Sequence, residues 1–215
     1  SGQWQWARAT SNTSNAIVQP YSIKVDSSGK IHLAGYFRIG SFQAGTLTVN
    51  KSTGTDDLFL LTLDKAGSWK TAKRLGKDIA NPTFVRMDID PSGNRYISTV
   101  GGNSPKTEIN GIPLTPTGNN NAIVIKVDTS DNVEWVARSK GTSAEQALNI
   151  LYKNQALYLV GQFFGIPAIT TSLMSLGIAY ALVRRGGSED EGTAPLGDWL
   201  RSEPINRIYE RVYTE

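Results

Sequence analysis

Four of the five tryptophans fall at a near-constant interval. Trp6, Trp69, Trp135 and Trp199 are spaced by 63, 66 and 64 residues. Their neighbours recur as well: Trp6-Ala7-Arg8, Trp69-Lys70-Thr71-Ala72-Lys73, Trp135-Val136-Ala137-Arg138 and Trp199-Leu200-Arg201. A period of this length marks a chain built by copying one supersecondary unit, with each copy stacking on the next to bury its apolar faces.

The turns keep the same period. Val25-Asp26-Ser27-Ser28-Gly29 returns 64 residues later as Ile89-Asp90-Pro91-Ser92-Gly93. Leu63-Asp64-Lys65-Ala66-Gly67 returns, again 64 later, as Val127-Asp128-Thr129-Ser130-Asp131-Asn132. Asp at the first turn position and Gly three residues on predict a type I turn closed by a left-handed residue, joining antiparallel strands. In the second copy Asp131 or Asn132 takes the left-handed role. Gly35-Tyr36-Phe37 matches Gly161-Gln162-Phe163, with Gly101 the nearest counterpart between them. Asp57-Leu58-Phe59-Leu60 matches Asn121-Ala122-Ile123-Val124, and residues 178–183 fill that slot in the third copy.

Each copy reads as four strands, A to D, which in the first copy are 21–26, 30–37, 57–64 and 69–75. Tyr21, Ile23 and Val25 alternate on one face of strand A. Strand C is apolar on both faces (Leu58-Phe59-Leu60-Leu61), the pattern of a strand buried between layers. Hairpin-punctuated four-stranded units are the material of β-propellers. The segments 25–37, 54–67 and Trp6-Ala7 carry a pattern that resembles the bacterial SBBP-type β-propeller repeat. The resemblance covers about residues 1–183, with a trace at Trp199. It implies a β-propeller on exported bacterial surface proteins, and no catalytic residues. The third copy departs most, with Tyr152-Lys153-Asn154-Gln155 in place of the Asp-x-x-Gly turn.

The expected fold is therefore all-β, with three four-stranded propeller-like blades of about 64 residues and edge strands of a fourth; a β-trefoil is the alternative. The 215 residues read as one incomplete repeat domain, with repeats near 6–68, 69–134 and 135–198 and a leftover edge strand at 199–215. Trp4 to Ala9 reads as a D-type strand. Residues 205–213 read as an A strand, with a helix from about Ser202 competing. Propellers have about four to eight blades. The arithmetic leaves three solutions: a fragment of a longer array, a ring completed by self-association, or a trefoil. Ser1 in place of Met, with no visible signal peptide, predicts a chain processed from something longer.

Composition narrows the chemistry. There is no Cys and one His, His32, so thiolate nucleophiles, Cys-ligated zinc and His-rich metal sites are excluded. The net charge of +3 is too dispersed to predict nucleic-acid binding, and the longest apolar run, six residues, is far below the about twenty of a membrane helix. Tyr96 and Tyr158 fill the His32 slot elsewhere, so His32 reads as a packed ring. Asp26, Asp64, Asp90 and Asp128 lack calcium-loop spacing and read as turn caps. Trp6, Trp69 and Trp135 read as packing between blades.

The candidate binding residues are Trp4, which has no counterpart in the other copies, and the acidic run Glu189, Asp190 and Glu191, which breaks the repeat. No catalytic residue, metal or cofactor is expected. The function expected is a non-catalytic structural or binding module, secreted or on a bacterial cell surface. Its partner would be a protein, the remainder of a longer array, a second copy or a glycan. Three alternatives stay open. A lectin-like protein requires exposed Trp4, Phe42 and Phe164. A carbohydrate-active module would use Glu189 to Glu191. The third is a virion or secretion-machine component.

Overall fold

The computed structural model describes residues 2–12, 15–79, 82, 84–101, 104–114, 120–139, 145–162 and 180–185. These residues form strands and turns, and none of them is helical. None therefore provides a helix long and apolar enough to cross a membrane. The all-β expectation holds, in four antiparallel sheets.

The first unit contains β1 (Ser11–Asn12), β2 (Ile17–Val25), β3 (Ile31–Arg38), β4 (Phe42–Ala44), β5 (Leu47–Val49), β6 (Asp56–Leu63) and β7 (Trp69–Lys77). The second contains β8 (Arg86–Ile89), β9 (Arg95–Gly101), β10 (Glu108–Ile109), β11 (Ile112–Pro113), β12 (Asn121–Val127) and β13 (Val133–Arg138). The third contains β14 (Gln146–Lys153), β15 (Ala156–Gln162) and β16 (Tyr180–Arg185). Strands A to D of unit 1 are β2-β3-β6-β7, adjacent in that order, and β8-β9-β12-β13 repeat the order in unit 2. Unit 3 adds β14-β15-β16.

Between strands B and C, units 1 and 2 each insert a small hairpin, β4–β5 and β10–β11. β10 pairs with β7 of the preceding unit (Gly76 opposite Ile109, Lys77 opposite Glu108), and β4 pairs with β1 (Ser11 opposite Gln43, Asn12 opposite Phe42). The edge of β7, which would otherwise offer unpaired backbone groups to any passing strand, is thus partly covered by the next unit.

The D-type strand expected at Trp4 to Ala9 does not form. Residues 2–10 are irregular, and only Ser11–Asn12 is paired. The physical reason is local: no described C strand lies beside that segment to receive its hydrogen bonds. Trp6 instead lies over Gly67, so that a Cβ on that glycine would come 2.7 Å from the indole.

All eight residues of β6 are buried, as the two-faced apolar pattern requires. Leu58 and Leu60 face unit 2, where they join Ala34 and Tyr36 of unit 1 against Met87, Ile97, Ile123 and Ile125. Phe59 and Leu61 lie on the opposite face, under Phe42, Ala44 and Val49 of the inserted hairpin. We call the first of these the trailing face and the second the leading face. A further cluster joins the trailing face of unit 2 (Tyr96, Ala122, Val124) to the leading face of unit 3 (Ile150, Leu157, Leu159).

The Gly marker has a specific cause. Gly35 and Gly161 lie opposite Pro20 and Ala147, each beside a bulge in strand A. A Cβ would approach the Gln19 carbonyl oxygen to 2.1 Å at Gly35, and the Gln146 carbonyl oxygen to 2.0 Å at Gly161. By strand register the unit 2 counterpart is Thr99, not Gly101, and β8 begins too late to pass beside it, starting at Arg86 opposite Ser98. Gly35→Ala and Gly161→Ala are expected to cost about 3 kcal/mol each, because backbone must move to admit one methyl group. Thr99→Gly adds no atom, so no backbone has to move, and is expected to cost less, about 2 kcal/mol in chain entropy and lost packing of a buried side chain. Urea unfolding midpoints of the three variants check this ordering.

Candidate functional site

The A–B turns of all three units meet at one end of the stack. Residues 25–27, 89–91 and 152–154 line an open groove there of about 300 Å³. Its walls come from matched positions: Val25 stands opposite Ile31, Ile89 opposite Arg95, and Tyr152 opposite Leu157. Stacking the units in register is what brings the three turns together.

The turn carboxylates serve the turns themselves. Asp26 Oδ1 accepts from the backbone N–H groups of Ser28 (2.9 Å) and Lys30 (3.0 Å) and from Ser28 Oγ (2.6 Å). Asp64 and Asp128 hold their turns by the same two backbone bonds, and Asp90 accepts from Asn94 N–H at 2.9 Å. Gly29, Gly67, Gly93 and Asp131 adopt positive φ, so Asp131 takes the left-handed place in the fourth turn. Short polar side chains tolerate that conformation, which explains why no Gly is needed there.

Beneath the groove the second carboxylate oxygen meets a ring six residues on. Asp26 Oδ2 lies 2.9 Å from His32 Nε2, and Asp90 Oδ2 accepts from the Tyr96 hydroxyl at 3.1 Å. His32 is fully buried, in agreement with the packed-ring reading. Burial lowers its pKa below 6.5, against the pull of Asp26 in the other direction. Burial pushes the Asp26 carboxyl up, but hydrogen bonds from Ser28, His32 and the turn backbone outweigh it and hold it well below the usual range. Tyr96 is raised, first by burial and then by the Asp90 charge.

One charge in this region breaks the repeat. Arg95 occupies the slot of Ile31 and Leu157 and is almost completely buried. Its guanidinium bonds the Asp131 carboxylate and the Gly93 carbonyl (3.2 Å). Burial works against its charge, while Asp131, Asp128, Asp26 and Asp90 sustain it. The sequence reading missed Arg95 because it stands one residue before the ring slot and looks like a polar strand end. The signal was there in the apolar residues at the two matching positions.

Polar contacts tie unit to unit. Lys73 Nζ donates to the Asp131 carbonyl (3.0 Å), and Arg8 Nε donates to the Gly67 carbonyl (2.8 Å), the matching turn position one unit earlier. Lys24 Nζ and Asp88 Oδ1 lie 2.9 Å apart. The Met87 N–H donates to Ser22 Oγ, and the Tyr152 N–H to Asp88 Oδ2. Asp78, also unforeseen, pins the loops outside β7: Thr55 N–H and Ser104 Oγ donate to its two oxygens.

Of the residues selected from sequence, Trp4 is 98% exposed and stands away from the groove residues in the chain. Glu189, Asp190 and Glu191 lie outside the described residues, as do Phe164, Trp199 and residues 205–213. Phe42, which a lectin reading needs exposed, is fully buried against Phe37 and Phe59. Trp6, Trp69 and Trp135 are half-buried. Trp69 covers Gly45 of the hairpin in its own unit and is not the wedge between units that its repeat position suggested, whereas Trp135 tilts against Tyr96 and packs on the cluster that joins units 2 and 3. Among the described residues, no group of three or more His, Asp or Glu is arranged to hold a metal ion.

The chain matches no protein-family model, and no curated protein matches it.

Two outcomes follow from this charge arrangement. The groups facing His32 are Asp26, Arg95 and Lys30, with Lys24 as its cross-strand partner. Below pH 6.5 the unfolded chain protonates its His while the folded chain resists, so stability falls with pH. Asp26 adds the same sign lower down: its contribution is present above 3.8 and is lost as pH falls through its depressed folded value. The thermal midpoint is expected to drop between roughly pH 7 and pH 5, and His32→Tyr to flatten that slope. Slope is the readout, so a constant offset from ring size does not matter. Separately, Asp131→Asn leaves Arg95 buried without its nearest partner and is expected to cost about 3 kcal/mol. Adding Arg95→Leu, the residue type at position 157, should recover most of that loss in a double-mutant cycle.

Proposed function

We propose that this chain is a non-catalytic structural or binding module of a bacterial cell-surface or exported assembly. In this reading its units are propeller blades, and they present the A–B turns to a macromolecular partner. The observation that carries the reading is the groove. Three turns from three units converge on it, while their aspartates are committed to backbone N–H groups and buried rings. A carboxylate held that way is a poor proton carrier and a good brace. The polar groups left facing outward are the exposed Ser27, Lys153 and Asn154, beside the exposed Val25 and Pro91. Face-to-face stacking in repeated register favours blades over a trefoil, and the SBBP-type resemblance supports the surface setting.

Glycan recognition is the second reading, favoured by the bare indole of Trp4. Purified chain is to be titrated onto isolated bacterial envelope fractions, with Ser27→Glu, Lys153→Glu and Asn154→Ala as groove variants. Binding at least about tenfold weaker in the variants, at unchanged melting temperature, is the expected result. Equal binding by all variants would sink the groove assignment. Loss in Trp4→Ala alone would move the assignment to the glycan reading.

A further inference from the structure

The strand register allows one leading-face position to be compared across all three units. Ile23 stands opposite Leu33, Met87 opposite Ile97 and Ile150 opposite Leu159. Met87 and Ile150 are 1% and 4% exposed, because the preceding unit covers them. Ile23 is 62% exposed, and Val25, next on the same face, is 61% exposed. The β4–β5 hairpin shields the outer part of this face through Phe42, Ala44 and Val49. The uncovered apolar area is therefore confined to β2 and the start of β3. A sheet face that is dry in two copies and wet in the third is a face built for a neighbour.

The other end of the stack offers the counterpart. Leu151 stands opposite Tyr158 on the trailing face of unit 3, in the place of Lys24 and Asp88. It is 48% exposed. The charges divide in a matching way. Between units 1 and 2, Asp26 on one side lies within the electrostatic reach of Arg95 on the other. On the free leading face the Arg95 slot holds Ile31. In unit 3 the strand register puts Lys153 in the place of Asp26 and Asp90. The face that lacks the arginine thus suits the face that brings a lysine in place of the aspartate: pairing them sets Ile31, not a second cation, toward the Lys153 end. The contact type also continues past unit 1: Arg8 on the Gly67 carbonyl repeats Lys73 on the Asp131 carbonyl.

We propose that the chain pairs head to tail with a second copy, the leading face of unit 1 (Ile23, Val25, Ile31, Leu33) packing on the trailing face of unit 3 (Leu151, Tyr158) of its partner. The proposal rests on the blade reading above and names the partner for it. Two copies bring six units, inside the range over which stacked blades close into a ring. A heterologous contact that closes gives a discrete particle rather than a filament.

The test is sedimentation velocity of the full chain from about 1 to 100 μM, a span that detects dissociation constants in the micromolar range. The expected particle has twice the 23.4 kDa mass of the chain. Ile23→Asp and Leu151→Asp should each give a monomer with an unchanged circular dichroism spectrum. Because the chain has no Cys, thiols can be placed at will. A short bis-maleimide should link Ile23→Cys to Leu151→Cys in a mixture, and should not link Ile23→Cys to itself. A monomer at every concentration overturns the proposal, as do an open-ended polymer and an Ile23→Cys self-link. Envelope binding measured on the same samples keeps the two readings apart. A monomer with groove-dependent binding overturns the pairing alone, and a dimer without binding supports the pairing and overturns the binding role.

Discussion

The structure depends on one constraint: its sheets are apolar on both faces. Every residue of β6 is buried, with Leu58 and Leu60 on one side and Phe59 and Leu61 on the other. Burying one such side chain is worth about 1.5–3 kcal/mol, and a sheet alone in water could claim that on neither face. No unit can therefore be stable by itself, and the stack is the smallest folding entity. The inserted hairpins follow from the same need. β4–β5 caps the outer part of the leading face of unit 1, and β10–β11 reaches back to pair with β7. Each hairpin thereby relieves an exposed apolar face or an open strand edge.

Apolar contact drives stacking without fixing register, since one aliphatic surface slides readily on another. The polar contacts between units supply the register. Lys73 and Arg8 each reach a carbonyl at the left-handed position of the next C–D turn, where the N–H already serves the turn and the carbonyl points outward. Lys24 with Asp88, and Asp88 with the Tyr152 N–H, do the same along the A strands. These contacts add little stability singly. Their effect is to penalise a slipped stack, in which buried polar groups would lose their partners.

The strands, the turns and their period were legible in the sequence because they are local. An Asp binding N–H groups two and four residues on leaves a fixed spacing, and strand alternation is visible within six residues. The features that escaped are those whose cause lies in another part of the chain. β4, β5, β10 and β11 are two or three residues long and gain their stability from pairing or packing outside themselves. Gly35 and Gly161 answer to a bulged neighbour strand, which explains why Thr99 can stand between them. Arg95 finds Asp131 only after two turns have folded. Trp4 to Ala9 shows the converse failure: strand-like composition yields no strand where none of the described strands offers an edge to pair with it.

Differences between the copies also give the stack its order. If all units were identical, any leading face could take any trailing face, and the units could dock out of sequence. The 31/95/157 slot holds Ile, Arg and Leu, and the ring slot behind it holds His32, Tyr96 and Tyr158. Arg95 loses its solvation on folding and is tolerable only beside the aspartates that surround it between units 1 and 2. Placed against unit 3, which carries Lys153 where the others carry Asp26 and Asp90, it would be a buried charge facing a like charge with too few counter-charges. The cost of that mismatch selects one neighbour for unit 2. A single arginine in an otherwise apolar position thus turns a repeating surface into an addressed one.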